Sequence, residues 1–289
     1  MKRTVVLSMA LTLMLAVTGC GQSGDAASTA PATETDSAES STETVTEEQA
    51  DAEESQEESK EESSAAETGS AKSEGVMTYE EYMAAELESE VVIETYVQAK
   101  QSWWEDKATL YTQDEDGAYF VYNAVCSEED YAKLVPGTKI KVTGYKTEWS
   151  GEVEIAEGAS LEIMDGSYTA PALDVTGLLG SDELIDHQNQ FVSFKGMTVE
   201  AAGQDADGND AAFLYNWDGS GQDGDDLYFN VSLNGQTYTF TVESYLCDKT
   251  TDVYSAVKNL QIGDVIDMEG FLYWYEGVNP HITAVTAAQ

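Results

Sequence analysis

The residues of this chain best equipped for recognition are aromatics set among polar neighbours. Trp103 and Trp104 lie between Ser102 and Glu105, Trp149 between Glu148 and Ser150, and Tyr273, Trp274 and Tyr275 run together ahead of Glu276. An indole or phenol held at a loop tip is a flat stacking platform for a sugar ring, a base or a partner's apolar side chain. The same rings could instead close the end of a barrel as core. Asp205, Asp207 and Asp210 around Gly208 offer hard oxygen donors of the kind calcium takes. The calcium-loop register fails, however, because Asn209 falls behind Gly208 and Asn216 stands where a bidentate Glu belongs; Asp-Gly turns need no metal to explain them. His187 and His281 have no Cys, His or Ser arrangement that implies a nucleophile and base. Paired zinc spacings, phosphate-cradling glycine loops and a nucleophile elbow are also missing. A binder is expected rather than an enzyme, with no cofactor and calcium as a minor alternative.

The elements that must position these residues follow a repeated pattern. Gly137, Gly144 and Gly151, evenly spaced, return as Gly263, Gly270 and Gly277. In the first interval Ile140 and Val142 share one side, as do Ile266 and Met268 in the second copy, which is strand alternation. A helix is expected before each copy. One starts from the capping box of Thr78 and Glu81, with Tyr79, Tyr82, Met83 and Leu87 on one face; the other opens at Ser181 with Leu184 and Ile185 behind it. Strands are expected at 91–99, 108–112, 119–125, 138–146 and 152–155, with a helix at 127–134. The second copy repeats this order, starting with a strand at 191–199, with longer acidic loops at 204–210 and 218–226. Cys126 and Cys247 close equivalent strands, so both are expected as buried free thiols rather than as a disulfide.

Three strands, a short helix and two more strands make the order of a five-stranded Greek-key barrel. With the glycine ladders, residues 134–151 and 260–277 resemble the OB-fold, and more narrowly the paired OB-like domains of exported lipoproteins from gut-type Gram-positive bacteria. The expected fold is thus mainly β: a first OB-like barrel over 76–172 and a second over 173–289. The resemblance implies ligand binding on the face of strands 2 and 3, framed by loops that here carry Trp103, Trp104, Trp149, Tyr273, Trp274 and Tyr275.

The amino terminus supplies an address. Lys2, Arg3 and the apolar run that follows read as an export signal over 1–19. The ending Val17, Thr18, Gly19, Cys20 resembles the lipobox of bacterial lipoproteins, which implies a diacylglycerol on Cys20 and a place on the outer face of the cytoplasmic membrane. Residues 20–75 are rich in Ser, Thr, Ala and Glu with no aromatic side chain, so they cannot bury enough apolar surface to offset ordering entropy and should form a disordered acidic linker.

The whole chain has 55 Asp and Glu against 13 Lys and Arg, a net charge of −42. On that basis nucleic acid is expected to be an unfavoured partner, and a membrane anchor with a glycan or an envelope protein as ligand is expected instead. A purely structural or adaptor role is the alternative. It predicts that Trp103, Trp104 and Trp149 are buried.

Overall fold

The computed structural model describes residues 72–205 and 207–288. The signal at 1–19, Cys20 and the linker up to residue 71 lie outside the described residues.

Helix α1 (Tyr79–Ala84) begins as the sequence predicts. Glu81 N donates to Thr78 Oγ1 at 3.1 Å and Thr78 N to Glu81 Oε2 at 2.8 Å, satisfying amides that a helix start leaves open. The expected apolar face is cut short because the helix stops at Ala84. Tyr82 is buried, whereas Met83 and Leu87 are exposed. Lys146 closes the other end, donating to the carbonyls of Tyr82, Met83 and Ala85 at 2.8–3.0 Å, a cation where helix carbonyls are unpaired.

The first barrel continues with β1 (Glu90–Lys100), β2 (Lys107–Gln113), β3 (Ala118–Val125), α2 (Glu128–Lys133), β4 (Thr138–Trp149), β5 (Glu152–Ile155) and β6 (Ser160–Ser167). The order is β1-β2-β3-β5-β4, closed by pairing of β1 with β4. Strands β5 and β6 act as one barrel strand interrupted at 156–159, since β6 continues the antiparallel pairing to β4 from Thr143↔Ser160 to Thr138↔Ser167. The β6 half is absent from the sequence reading because most of its side chains are exposed, which leaves little apolar alternation to read.

The second barrel opens with the short strand β7 (Leu173–Asp174) and two 3-10 turns, Thr176–Leu178 and Asp182–His187. The latter replaces the expected α-helix: Ser181 accepts from Glu183 N, Leu184 is buried and Ile185 stays exposed. Then come β8 (Phe191–Glu200), β9 (Gly203–Gln204), β10 (Asp210–Ala211), β11 (Phe213–Tyr215), β12 (Leu227–Leu233), β13 (Gln236–Val242), α3 (Asp252–Lys258), β14 (Val265–Phe271) and β15 (His281–Ala287). Here β8-β12-β13-β15-β14 close through β14 and β8. Two closed five-stranded barrels of one topology result.

Each barrel has its own core. Val91, Ile93, Leu110, Val121, Ile140 and Val142 fill the first; Phe194, Phe229, Phe240, Ile266 and Met268 fill the second. Cys126 and Cys247 are buried free thiols. The ladder has a mechanical meaning at its middle rung, where the fifth strand passes close over the fourth. A Cβ on Gly144 would lie 2.7 Å from Ala159 Cβ and Ile155 Cγ2, and one on Gly270 would strike the backbone of His281 and Ile282. These glycines permit a close approach.

The barrels meet in a defined joint within one compact unit. Tyr111, Phe120 and Phe271 form a third buried apolar cluster between them. Around it Phe191 N donates to Gln113 Oε1 (2.8 Å), Ser102 N to Tyr245 O (2.7 Å), Glu276 N to Ser150 O (2.7 Å) and Trp274 N to Glu152 Oε2 (2.9 Å). Gln188 bonds both ways, accepting from Val153 N and donating to Gly151 O. Directional polar contacts around an apolar centre fix the register between two domains.

Candidate binding cleft and joint pocket

Strands 2 and 3 of the second barrel form the floor of a cleft of about 630 Å³. Tyr228 comes from β12, Thr241 from β13 and Glu243 from just beyond it. Trp217 and Asp226 arrive from the long connection between strands 1 and 2, and Tyr273, Tyr275, Glu276 and Asn279 from the connection between strands 4 and 5. Trp217 is 76% exposed and Tyr275 47% exposed, so two ring faces stand open at the rim.

The floor is polar and ordered. Thr241 Oγ1 donates to Asn279 Oδ1 at 2.8 Å, Ser244 donates through N and Oγ to Asp226 Oδ1, and the amides of Tyr245 and Leu246 donate to Glu243. Burial, with the Asp226 charge beside it, pushes the Glu243 carboxyl up to about 7.

A second cavity of about 330 Å³ lies at the joint, lined by Gln101, Phe120, Tyr122, Trp149 and Glu154 of the first barrel and by Tyr273 and His281 of the second. Tyr273 and His281 border both spaces and stack with ring centroids 4.3 Å apart. His281 is buried, and Tyr111 Oη lies 2.6 Å from its Nδ1. Burial drives the Tyr111 phenol well above its usual range and holds His281 down at about 3. Both groups therefore stay neutral, and the contact is a hydrogen bond between an uncharged phenol and an uncharged imidazole.

Two first-barrel carboxyls face the joint from alternate positions of β5. Glu154 is 7% exposed and burial alone pushes it up to about 7. Glu152 is fully buried and burial pushes it up to about 9, opposed by the Asn189 side chain and the Trp274 amide. Glu152 Oε1 and Asn189 Oδ1 have no partner among the described residues.

Of the residues expected from sequence, Trp149, Tyr273 and Tyr275 line these spaces. Trp274 does not: it packs on the second core and lies over Gly151, where a Cβ would meet its Cδ1 at 2.9 Å. Trp103 is half-buried and tied down by Nε1 donating to Cys126 O at 3.0 Å, while Trp104 is exposed in the turn before Lys107, outside both linings. Asp205 Oδ1 accepts from the amides of Asp207 and Asn209, Asp210 enters β10, and no group of three or more His, Cys, Asp or Glu is arranged for a metal among the described residues.

Sequence reasoning missed Trp217, Tyr122, Glu154 and Glu243, and considered His281 only for catalysis. An exposed tryptophan in a Gly- and Asp-rich loop is a signal for Trp217. Nothing local marks the others.

No family model matches this chain, and no curated protein does. Among solved structures the chain is similar to the tetrameric p202 HIN2, at 12% identity and a TM-score of 0.29 over 71% of this chain and 96% of that one. It is similar also to the p204 HINb domain, at 12% identity and 0.31 over 68% and 94%. A third is the Ifi202 HINa domain in complex with 20bp dsDNA, at 11% identity and 0.31 over 70% of this chain and 100% of that one. The expectation that sets nucleic acid aside as a partner is corrected by that complex, and nucleic acid stays among the ligand classes to be tested. The duplex itself is a fact about the HINa domain. At these identities and scores the likenesses assign no ligand to this chain.

Proposed function

We propose that this protein is a non-catalytic binding protein that takes a glycan in the cleft of its second barrel, displayed outside the cell on a lipid-modified Cys20. The observation that carries the ligand class is the pairing of two exposed ring faces, Trp217 and Tyr275, with a hydrogen-bonding floor of Asp226, Thr241, Glu243 and Asn279. Sugar rings present apolar C–H faces to aromatics and hydroxyls to carboxylates and amides, so such a surface matches them on both counts. Support for the address is the amino-terminal sequence alone. Against a purely structural role stands the exposure of Trp104 and Trp149.

The test is a glycan array followed by calorimetric titration, with single-stranded and duplex oligonucleotides as parallel arms. A glycan ligand whose affinity falls about tenfold in Trp217→Ala, and is unchanged in Trp104→Ala, is the expected result. Oligonucleotide binding lost in Trp217→Ala, with no glycan bound, would reassign the cleft to nucleic acid.

A further inference from the structure

We propose that the joint pocket is an ammonium site, in which the Glu154 carboxylate pairs with the cationic nitrogen of a small alkylammonium ligand held among Phe120, Tyr122, Trp149 and Tyr273. It is a different space from the Trp217 cleft and takes a different chemical group, so it does not depend on the glycan reading.

Glu154 is a buried acid that no cation of the described residues meets. Glu154 pairs with Phe120 across β5 and β3, is more than nine-tenths buried, and has no side-chain partner among the described residues. An ionised carboxyl in that position is costly unless something cationic meets it. Among the described residues no lysine forms an ion pair with it. Lys146, in the strand paired with β5, spends its three protons on the carbonyls at the end of α1. Lys107 is held by Glu157 and Lys139 by Glu94.

The remaining walls favour a cation over other occupants. Four aromatic side chains line the pocket with Glu154, and the negative faces of such rings attract ammonium groups, most strongly where water is scarce. Phe120 and Tyr273 meet edge to face at 5.2 Å, and Tyr273 is backed by the stacked His281 ring. These contacts hold two of the walls in place before any ligand arrives. His281 is neutral and adds no repelling charge. Anionic ligands meet the carboxylate of Glu154. The volume of about 330 Å³ is at the small end of ligand pockets, and the exposed Trp149 and Tyr122 leave a way in from solvent.

The test titrates the full chain with choline and with its uncharged carbon isostere, 3,3-dimethylbutan-1-ol, following tryptophan fluorescence and calorimetry. Choline is expected to bind with a millimolar dissociation constant and the isostere about tenfold more weakly, the difference a desolvated cation–π and carboxylate contact provides. Glu154→Gln is expected to lose about tenfold for choline while melting at or above the parent temperature, since it removes an uncompensated buried charge. Trp149→Ala weakens choline, and Trp217→Ala leaves it unchanged. Equal binding of choline and isostere, full choline affinity in Glu154→Gln, or no choline binding at about 50 mM would each overturn the proposal. None of these outcomes bears on whether the Trp217 cleft takes a glycan.

Discussion

In the first barrel two residues, Ser150 and Gly151, turn the fourth strand into the fifth; in the second the same connection takes the nine residues 272–280. The ladder spacing is the same in both, so the glycines do not set the loop length. They set where the chain turns. The short turn lets the fifth strand pair to the very end of the fourth, Trp149↔Glu152, and carries Glu152 and Glu154 out along the joint. The long loop places Tyr273 and Trp274 over them. The first barrel supplies both carboxyls of the joint, and the second adds Tyr273 and the Trp274 amide from its longer connection.

The largest blow to that asymmetry is expected from Phe271→Ala, which empties the apolar centre of the joint shared with Tyr111 and Phe120. A loss of about 3–5 kcal/mol is expected in denaturant unfolding, with a second transition as the barrels separate. A single transition with a loss below about 1 kcal/mol would show that the barrels do not depend on each other.

The two middle glycines differ in what lies against them. In Gly270→Ala the new Cβ meets backbone of His281 and Ile282, which cannot turn aside; in Gly144→Ala it meets the side chains of Ala159 and Ile155. A loss of about 3 kcal/mol is expected for the first and about 1 kcal/mol for the second, measured by the same unfolding curves. Equal losses would mean that the two strand crossings are equally tight.

The smallest effect is a pH dependence. Burial raises Glu152 from 4.5 to about 9 and Glu154 and Glu243 to about 7. The folded chain therefore binds more protons than the unfolded chain across those intervals, and stability falls as pH rises through them. His281, lowered from 6.5 to about 3, acts oppositely: its contribution is present above 6.5 and is lost as pH falls towards 3. The melting temperature is expected to peak near about pH 5 and to drop by about 5 °C towards pH 9. Glu152→Gln should flatten the alkaline part of that drop. An unchanged slope in that variant would place the titration elsewhere.

Much of each barrel was legible because its signals are local. The box of Thr78 and Glu81, the alternation of Ile140 with Val142 and of Ile266 with Met268, and the turn glycines all act within a few residues. Where alternation was missing, as in the exposed Ser160–Ser167 strand, the reading stopped short. Of the loop aromatics, the sequence could not tell Trp149, which lines a pocket, from Trp274, which packs over Gly151.

The sequence by itself determined two copies of one barrel and most of their strand order, because periodicity and turn chemistry are properties of short segments. The tertiary structure alone decided the joint. Tyr111 meets His281 across 170 positions of chain and Trp274 meets Glu152 across 122. Contacts between surfaces so far apart leave no periodic trace, and the pocket that Glu154 lines takes residues from both barrels.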